Sequence, residues 1–130
     1  MTLKLLVVDE HSEYFELVNE SAELCRHQFH VKCRHAASVD ETKSAIGHWQ
    51  PSVVLVDLNL GDSEGFSVIE LCAQGQIPVI AMSDSKNSEI EDVLRDRGAT
   101  GWVLKSSDPE DIEQLLAQLS AETPSPTEIH

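Results

Sequence analysis

Cysteines are few in this sequence and long apolar runs are absent, and each lack removes a class of protein. The three cysteines, Cys25, Cys33 and Cys72, are odd in number and form no Cys-x-x-Cys pair, so no disulfide framework is indicated. No apolar stretch approaches the roughly 20 residues that a membrane-spanning helix needs. The opening residues, MTLKLLVVDE, lack the long apolar segment and cleavage site of a secretory signal. We therefore expect a cytoplasmic protein with reduced thiols that does not insert into a membrane.

Positive charge is also scarce. Nine lysines and arginines stand against 23 aspartates and glutamates, which gives a formal net charge of −14. A surface this acidic repels a phosphate backbone, so we expect no direct nucleic-acid binding and favour partners that are cationic or carry metal ions. At 130 residues with 41% hydrophobic residues, the chain has the size and the apolar content of one domain with one core.

Strand and helix patterns alternate five times along the chain. The predicted strands are 3–8, 30–36, 53–56, 78–82 and 101–104, and the predicted helices are 13–27, 38–49, 62–73, 87–97 and 108–119. This alternation predicts an α/β domain over residues 1–120, with a parallel sheet covered by helices on both faces. Residues 121–130 contain two prolines and little to bury, which indicates a flexible tail or the start of a linker.

Polar side chains follow four of the five predicted strands. They are Asp9 and Glu10 after the first strand, Asp57 and Asn59 after the third, Ser83 and Asp84 after the fourth, and Lys105 after the fifth. Because the carboxyl ends of parallel strands meet at one edge of the sheet, we expect these side chains to lie close together.

The three acidic side chains among them need a counter-charge. Carboxylates about 4 Å apart repel by about 4 kcal/mol at an effective dielectric constant of about 20, so they require shared protons or a cation. Ligands that are all oxygen suit Mg²⁺. A carboxylate nucleophile, a divalent ion, a lysine and a hydroxyl are together the parts that hold a transferring phosphoryl group.

Four stretches carry a family resemblance. LLVVDEHS, VVLVDLNLGDSEG, PVIAMSDS and GATGWVLKSSDPED occur in this order, and over residues 3–119 the chain resembles a response-regulator receiver domain of bacterial two-component signalling. The resemblance implies a flavodoxin-like (βα)5 fold with strand order 2-1-3-4-5. It also implies a phosphoprotein that takes a phosphoryl group from a sensor histidine kinase or a phosphotransfer protein. Such a domain catalyses only its own phosphorylation and dephosphorylation. It relays the signal to a downstream effector protein or domain through residues 86–119. The same face also suits a homodimer.

The family's residue roles fall on named positions. The resemblance implies that Asp57 is the phosphoacceptor, and that Mg²⁺ binds Asp9, Glu10, Asp57 and the backbone carbonyl of Asn59. It implies further that Lys105 contacts the phosphoryl oxygens.

The resemblance assigns the conformational switch and the lifetime of the acyl phosphate to other positions. The resemblance implies that Ser83 is the switch hydroxyl and that Trp102 is the aromatic side chain that follows it. Asn59 and Ser85 match positions that tune the lifetime of the acyl phosphate.

Three positions depart from the family pattern. Ser106 replaces a proline that usually forms a cis peptide bond after the lysine. Asp84 replaces alanine or glycine, and we expect it to narrow the mouth of the site and slow loading at Asp57. Trp102 replaces the commoner tyrosine or phenylalanine, and its bulk disfavours an inward swing.

Alternative interpretations stay open at this point. One is a degenerate receiver that binds partners without being phosphorylated, an alternative favoured by Asp84 and Ser106. Another is a flavodoxin-like cofactor enzyme, which Asp9 and Glu10 disfavour because they would repel a cofactor phosphate.

A group of potential metal ligands near the second strand also needs an interpretation. Its members are Cys25, His27, His30, Cys33 and His35. A zinc site is conceivable from the ligand types, but an ordinary edge-strand surface is favoured, since alternating strand faces would scatter these side chains. His11, after the acidic pair, is expected to be a solvated loop residue.

Overall fold

The computed structural model describes residues 2–61, 64–84 and 88–122. The elements are β1 (Leu3–Val8), α1 (Glu13–Leu24), β2 (Val31–Ala36), α2 (Val39–His48), β3 (Val53–Asp57), α3 (Glu64–Gln74), β4 (Val79–Ser83), α4 (Ser88–Arg97), β5 (Gly101–Leu104) and α5 (Pro109–Glu122). The strands form one parallel sheet in the order β2-β1-β3-β4-β5. The predicted α/β fold and strand order are therefore confirmed. No helix in the described part of the chain is long and apolar enough to cross a membrane.

Strand β3 lies at the centre of the sheet and carries a carboxylate into the core. All five of its residues are buried, and it pairs with β1 on one side and β4 on the other. Asp57 is its last residue and pairs in register with Met82 of β4. The strand is one residue longer than predicted, so the ladder between the strands fixes the backbone of this aspartate.

The apolar core forms two layers, one on each face of the sheet. On one face the side chains of β1 and β3 pack against α2, α3 and α4, through residues such as Leu6, Ile69 and Leu94. On the other face they pack against α1 and α5, through residues such as Val18 and Leu116. Because both faces of β1 and β3 are covered, these strands read as nearly continuous apolar runs in the sequence, interrupted in β1 by Lys4.

Helix ends explain the differences between predicted and observed boundaries. Ser38 caps α2 at the predicted start of this helix, since its Oγ accepts the N–H of Glu41 at 3.1 Å. Helix α1 ends at Leu24, three residues before the predicted end, because the N–H groups of Gln28 and Phe29 both donate to the carbonyl of Cys25 and close a turn there. Helix α5 runs to Glu122, past the predicted boundary at residue 120, and residues 123–130 lie outside the described part of the chain.

Gly65 allows α3 to begin directly against the end of β3. A Cβ at this position would lie 3.0 Å from the backbone oxygen of Asp57 and 3.1 Å from Cα of Leu58. Both neighbours are backbone atoms and cannot move aside as a side chain could. A glycine is therefore required for this close approach of helix to strand.

Strand β2 forms one edge of the sheet, and its side chains alternate between partly buried and exposed. Lys32 and Arg34 are its exposed residues. The Arg34 guanidinium lies 5.0 Å from the ring centroid of Trp49, and the Lys4 ammonium lies 5.9 Å from the same centroid. Cations thus gather at this edge of an otherwise acidic domain.

Candidate functional site

A lysine joins two buried carboxylates at the carboxyl end of the sheet. Lys105 Nζ donates to Asp9 Oδ2 at 2.7 Å and to Asp57 Oδ2 at 2.9 Å. Asp9 is only 2% exposed and Asp57 only 6%. They follow or end β1 and β3, and the lysine follows β5. The parallel sheet therefore brings together three of the predicted site residues, and we call these three the floor of the site.

Backbone amides hold the remaining oxygens of both carboxylates. Asp9 Oδ1 accepts the N–H of His11 at 3.0 Å, and Asp57 Oδ1 accepts the N–H of Asn59 at 2.8 Å. Each carboxylate is therefore fixed by one backbone donor and one ammonium donor. A carboxylate has about four acceptor positions, so each retains capacity for a further ligand.

The floor carries excess negative charge. Two carboxylates face one ammonium, which leaves one net negative charge in a poorly solvated place. Partial burial lowers the pKa of Lys105, but its hydrogen bonds and charge interactions with Asp57 and Asp9 outweigh this, so the pKa is raised overall. The lysine stays protonated, and the residual charge of the floor favours an additional cation.

The donor set fits a hydrated magnesium ion. The floor offers only oxygen donors, and Mg²⁺ typically binds one or two carboxylates while keeping several waters. Glu10, the third predicted carboxylate, is exposed and not hydrogen-bonded to the floor. Within the described residues, no three Asp, Glu, His or Cys side chains lie close enough together to hold a metal ion. Asp9 and Asp57 are thus brought together, and Glu10 is not.

Tyr14 borders the floor, a role that the sequence analysis missed. The Lys105 ammonium lies 5.3 Å from its ring centroid, and the side chain is buried. Burial raises the pKa of Tyr14 to about 12, against the effect of Lys105 and with a smaller contribution from Asp9. The signal that would have found it is the four-residue spacing of Tyr14, Val18 and Ala22, which predicts that all three share the buried face of α1.

Another hydrogen bond joins the segments that follow β3 and β4, at the mouth of the site. Asn59 Nδ2 donates to Asp84 Oδ2 at 2.7 Å, and Asp84 is exposed. Asp84 and Lys105 both line a cleft of about 320 Å³, which Asp9, His11 and Tyr14 also border. A carboxylate therefore lies beside the path to the floor, and its effect on loading stays a prediction.

Ser106 organises the loop that follows Lys105. Its hydroxyl donates to Asp111 Oδ2 at 2.7 Å and accepts the N–H of Asp108 at 3.1 Å. The described residues include no cis peptide bond, so the Lys105–Ser106 bond is trans. The backbone N–H of Lys105 also donates to the carbonyl of Ser83 at 2.8 Å. The lysine therefore reaches both carboxylates without the proline that the family usually has here.

The residues predicted to switch lie on neighbouring strands. Ser83 ends β4 and is partly buried, and Trp102 pairs in register with Ala81 one strand further out. Trp102 packs against the core layer that contains Leu94 and borders a groove beside α4. Ser85, predicted to tune the lifetime of the acyl phosphate, lies outside the described residues. Movement of Ser83 and Trp102 stays a prediction.

The histidines and cysteines near β2 have separate environments. Cys25 is buried at the end of α1, and burial raises the pKa of the Cys33 thiol on β2 to about 12. His35 contacts the backbone of Asp9 rather than a cysteine. In the described part of the chain, no three of these potential ligands lie close enough together to bind a metal.

Comparison with known protein families assigns the chain to one of them. Residues 5–117 match the model of the response regulator receiver domain. The chain therefore belongs to the response-regulator receiver family.

A curated relative and solved structures agree with this assignment. The nitrate/nitrite response regulator protein homolog of Haemophilus influenzae is 26% identical over 122 residues, covering 91% of this chain. The chain spans only 57% of that relative's length. The receiver domain of the putative response regulator NarL from Mycobacterium tuberculosis superposes with a TM-score of 0.75 at 20% identity, covering 93% of this chain and 98% of that one.

The phosphorylated cyanobacterial phytochrome response regulator RcpA has a TM-score of 0.77 at 17% identity, covering 96% of this chain and 98% of its own. A CheY-like receiver domain protein from Methanospirillum hungatei JF-1 has a TM-score of 0.74 at 19% identity, with coverages of 95% and 97%. At these identities the structural matches establish the fold alone.

Proposed function

We propose that this domain accepts a phosphoryl group on Asp57 from the phosphohistidine of a sensor kinase or phosphotransfer protein. The observation that carries the proposal is the floor of the site. Asp57 ends a fully buried strand, and its two oxygens are held by Lys105 and by the N–H of Asn59. A nucleophile fixed in this way needs little reorganisation to meet a donor in line.

The transfer forms one bond and breaks one. A carboxylate oxygen of Asp57 attacks phosphorus, and a P–O bond forms as the P–N bond to the donor imidazole breaks. The imidazole nitrogen keeps the electron pair and takes up a proton. Lys105, at 2.9 Å from Asp57, would donate to the phosphoryl oxygens as charge moves onto them. Water then hydrolyses the acyl phosphate, restoring Asp57 and releasing inorganic phosphate.

Mg²⁺ is the cofactor of this proposal. Asp9, Glu10, Asp57 and the backbone carbonyl of Asn59 would hold the ion. When bound, it neutralises charge on the transferring phosphoryl group. With Asp9, Glu10, Asp57 and Lys105 counted together, it would also change the net charge of the site from two negative to zero, so that an anionic donor is repelled less.

The signal would leave through the last two strands and helices. Ser83 and Trp102 would respond to the phosphoryl group, and residues 86–119 would present the change to an effector or to a second copy of the chain. The domain would act in the bacterial cytoplasm, where its acidity disfavours direct nucleic-acid binding. It would catalyse no reaction other than its own phosphorylation and dephosphorylation. The phosphorylated relative RcpA supports this proposal by analogy.

Phosphorylation can be tested directly by mass. The wild-type domain, incubated with Mg²⁺ and phosphoramidate, should gain the mass of one phosphoryl group, and Asp57→Asn should gain none. Asp96→Asn is the matched control, because Asp96 is an exposed aspartate on α4. A wild type that gains no mass, or an Asp57→Asn variant that gains as much, would contradict the proposal.

The negative charge at the mouth of the site supports a second candidate function. The Asp84 carboxylate, held to Asn59 at 2.7 Å, adds negative charge where a donor must approach. A receiver that binds its partner without phosphorylation would tolerate this. In that case the wild type would show no mass gain, and its partner affinity would be the same as that of Asp57→Asn.

A further inference from the structure

A histidine on the edge strand β2 contacts the backbone of the acidic loop, the segment after β1 that carries Asp9 and Glu10. His35 Nε2 lies 2.8 Å from the backbone oxygen of Asp9. A carbonyl oxygen can only accept, so this nitrogen carries the proton. The ring is stacked on Phe15 of α1, with centroids 5.5 Å apart and planes inclined by 26°. The histidine is therefore held by a helix while it donates to the loop.

Asp9 is fixed at every polar atom. Its N–H donates to the carbonyl of Ala36 at 3.0 Å, and its side-chain oxygens accept from His11 and Lys105. His35 Nε2 donates to the backbone carbonyl of Asp9. Because a peptide unit is planar, a donor on this carbonyl fixes the orientation of the whole bond between Asp9 and Glu10.

The orientation of this peptide matters most for Glu10. Glu10 is exposed and is not part of the hydrogen-bonded floor. Its direction therefore depends on where the backbone of the acidic loop points. A rigid backbone here lowers the entropy cost of bringing this carboxylate to a ligand that also binds Asp9.

We infer that His35 is a positioning residue for the divalent ion at Asp9 and Glu10. The inference rests on the proposed function, because it concerns the same ion. It assigns His35 no contact with the ion. The donor at Nε2 is present whether or not the other ring nitrogen is protonated, so the role does not depend on titration of the ring.

A matched pair of substitutions separates the hydrogen bond from packing. Gln and Met have similar length and flexibility, but only the Gln amide can donate to the Asp9 carbonyl. MgCl2 is titrated into the wild type, His35→Gln and His35→Met, and its affinity is read from backbone amide shifts in NMR spectra. His35→Met should bind Mg²⁺ about tenfold more weakly, the loss typical when a partner that orients a metal ligand is removed. His35→Gln should remain within about threefold of the wild type, since a neutral hydrogen bond can replace another.

Controls and outcomes decide between the two proposals. His30→Met, at an exposed position just before β2, should bind Mg²⁺ as the wild type does. Equal affinities for the Gln and Met variants would overturn the role of His35 and leave the proposed function intact. A wild type whose amides do not respond to Mg²⁺ would overturn the metal part of the proposed function and this inference with it. The same spectra report folding, and His35→Phe, which keeps an aromatic ring on Phe15, replaces the Met variant should that variant unfold.

Discussion

The floor and the mouth of the site make hydrogen bonds of similar length with different consequences. In the floor, Lys105 lies 2.7 and 2.9 Å from two buried carboxylates. At the mouth, Asn59 and the exposed Asp84 are joined at 2.7 Å. Water screens the mouth and can replace either partner, whereas it reaches the floor poorly, so a charge left alone there has no substitute partner. Burial rather than distance therefore decides how much each contact contributes.

Removal of the lysine is expected to have the largest effect. Lys105→Met leaves two carboxylates facing each other in the floor, and the loss of one partner from a buried ion pair typically costs about 3–5 kcal/mol. The free energy of unfolding, measured in urea at neutral pH, should fall by about that amount. Lys43→Met, on the exposed face of α2, is the control and should change it by less than about 0.5 kcal/mol.

A double variant sharpens this test. Adding Asp57→Asn to Lys105→Met removes one of the two facing charges and should recover part of the lost stability. If Lys105→Met were no less stable than the Lys43→Met control, the floor would not be an electrostatic unit.

The alkaline limit of stability is expected to be the next largest effect. The pKa of Tyr14 is about 12 in the folded domain and about 10 when unfolded, so the unfolded chain loses its proton first. The contribution of protonated Tyr14 to the free energy of unfolding is intact below about pH 10. It is lost as the pH rises from about 10 to about 12, by about 2–3 kcal/mol at most. Lys105 acts in the same direction, since its raised pKa gives a stabilisation that is lost as the pH rises through the folded value.

The chain has a single tyrosine, which makes this prediction simple to check. Tyrosinate absorbance should titrate near pH 12, and Tyr14→Phe should lose less stability than the wild type between about pH 9 and 11. A tyrosine that titrates near 10 in the folded domain would show that the side chain is solvated and does not close the floor.

The mouth is expected to give the smallest effect on stability. Asp84→Ala removes an exposed hydrogen bond and should change the free energy of unfolding by less than about 0.5 kcal/mol. Its effect should appear in loading instead. Removing a like charge about 4 Å from an approaching anion is worth about 1 kcal/mol in water, so phosphoramidate should load Asp57 about fivefold faster.

Asp96→Ala is the control for this variant, since it removes the same charge from an exposed position on α4. Loading that is no faster in Asp84→Ala than in Asp96→Ala would show that Asp84 does not obstruct the donor.

The floor could be predicted from sequence because it depends on topology. Parallel strands carry their last residues to one edge, so Asp9, Asp57 and Lys105 had to meet there once the alternating pattern was recognised. The other partners depend on the direction of a side chain or the path of a loop. Tyr14 is buried with Val18 and Ala22 on one face of α1, but its contact with Lys105 depends on how that helix lies beside the strand ends, which the helical spacing does not give.

His35 and Ser106 could not have been assigned from sequence alone. His35 reaches Asp9 because β1 and β2 pair in register, and its neighbours in sequence indicated a surface strand. Ser106 was identified only by the proline that it replaces. Its hydroxyl takes part in a turn with Asp108 and Asp111, which depends on where α5 begins.

The two exposed cations of β2, Lys32 and Arg34, affect whether copies of this domain associate with one another. An edge strand offers unpaired backbone groups to any strand that slides alongside it. A second copy of β2 would bring its own Lys32 and Arg34, so pairing of two such edges would place like charges close together. Edge-to-edge pairing of two domains through this strand is thereby opposed.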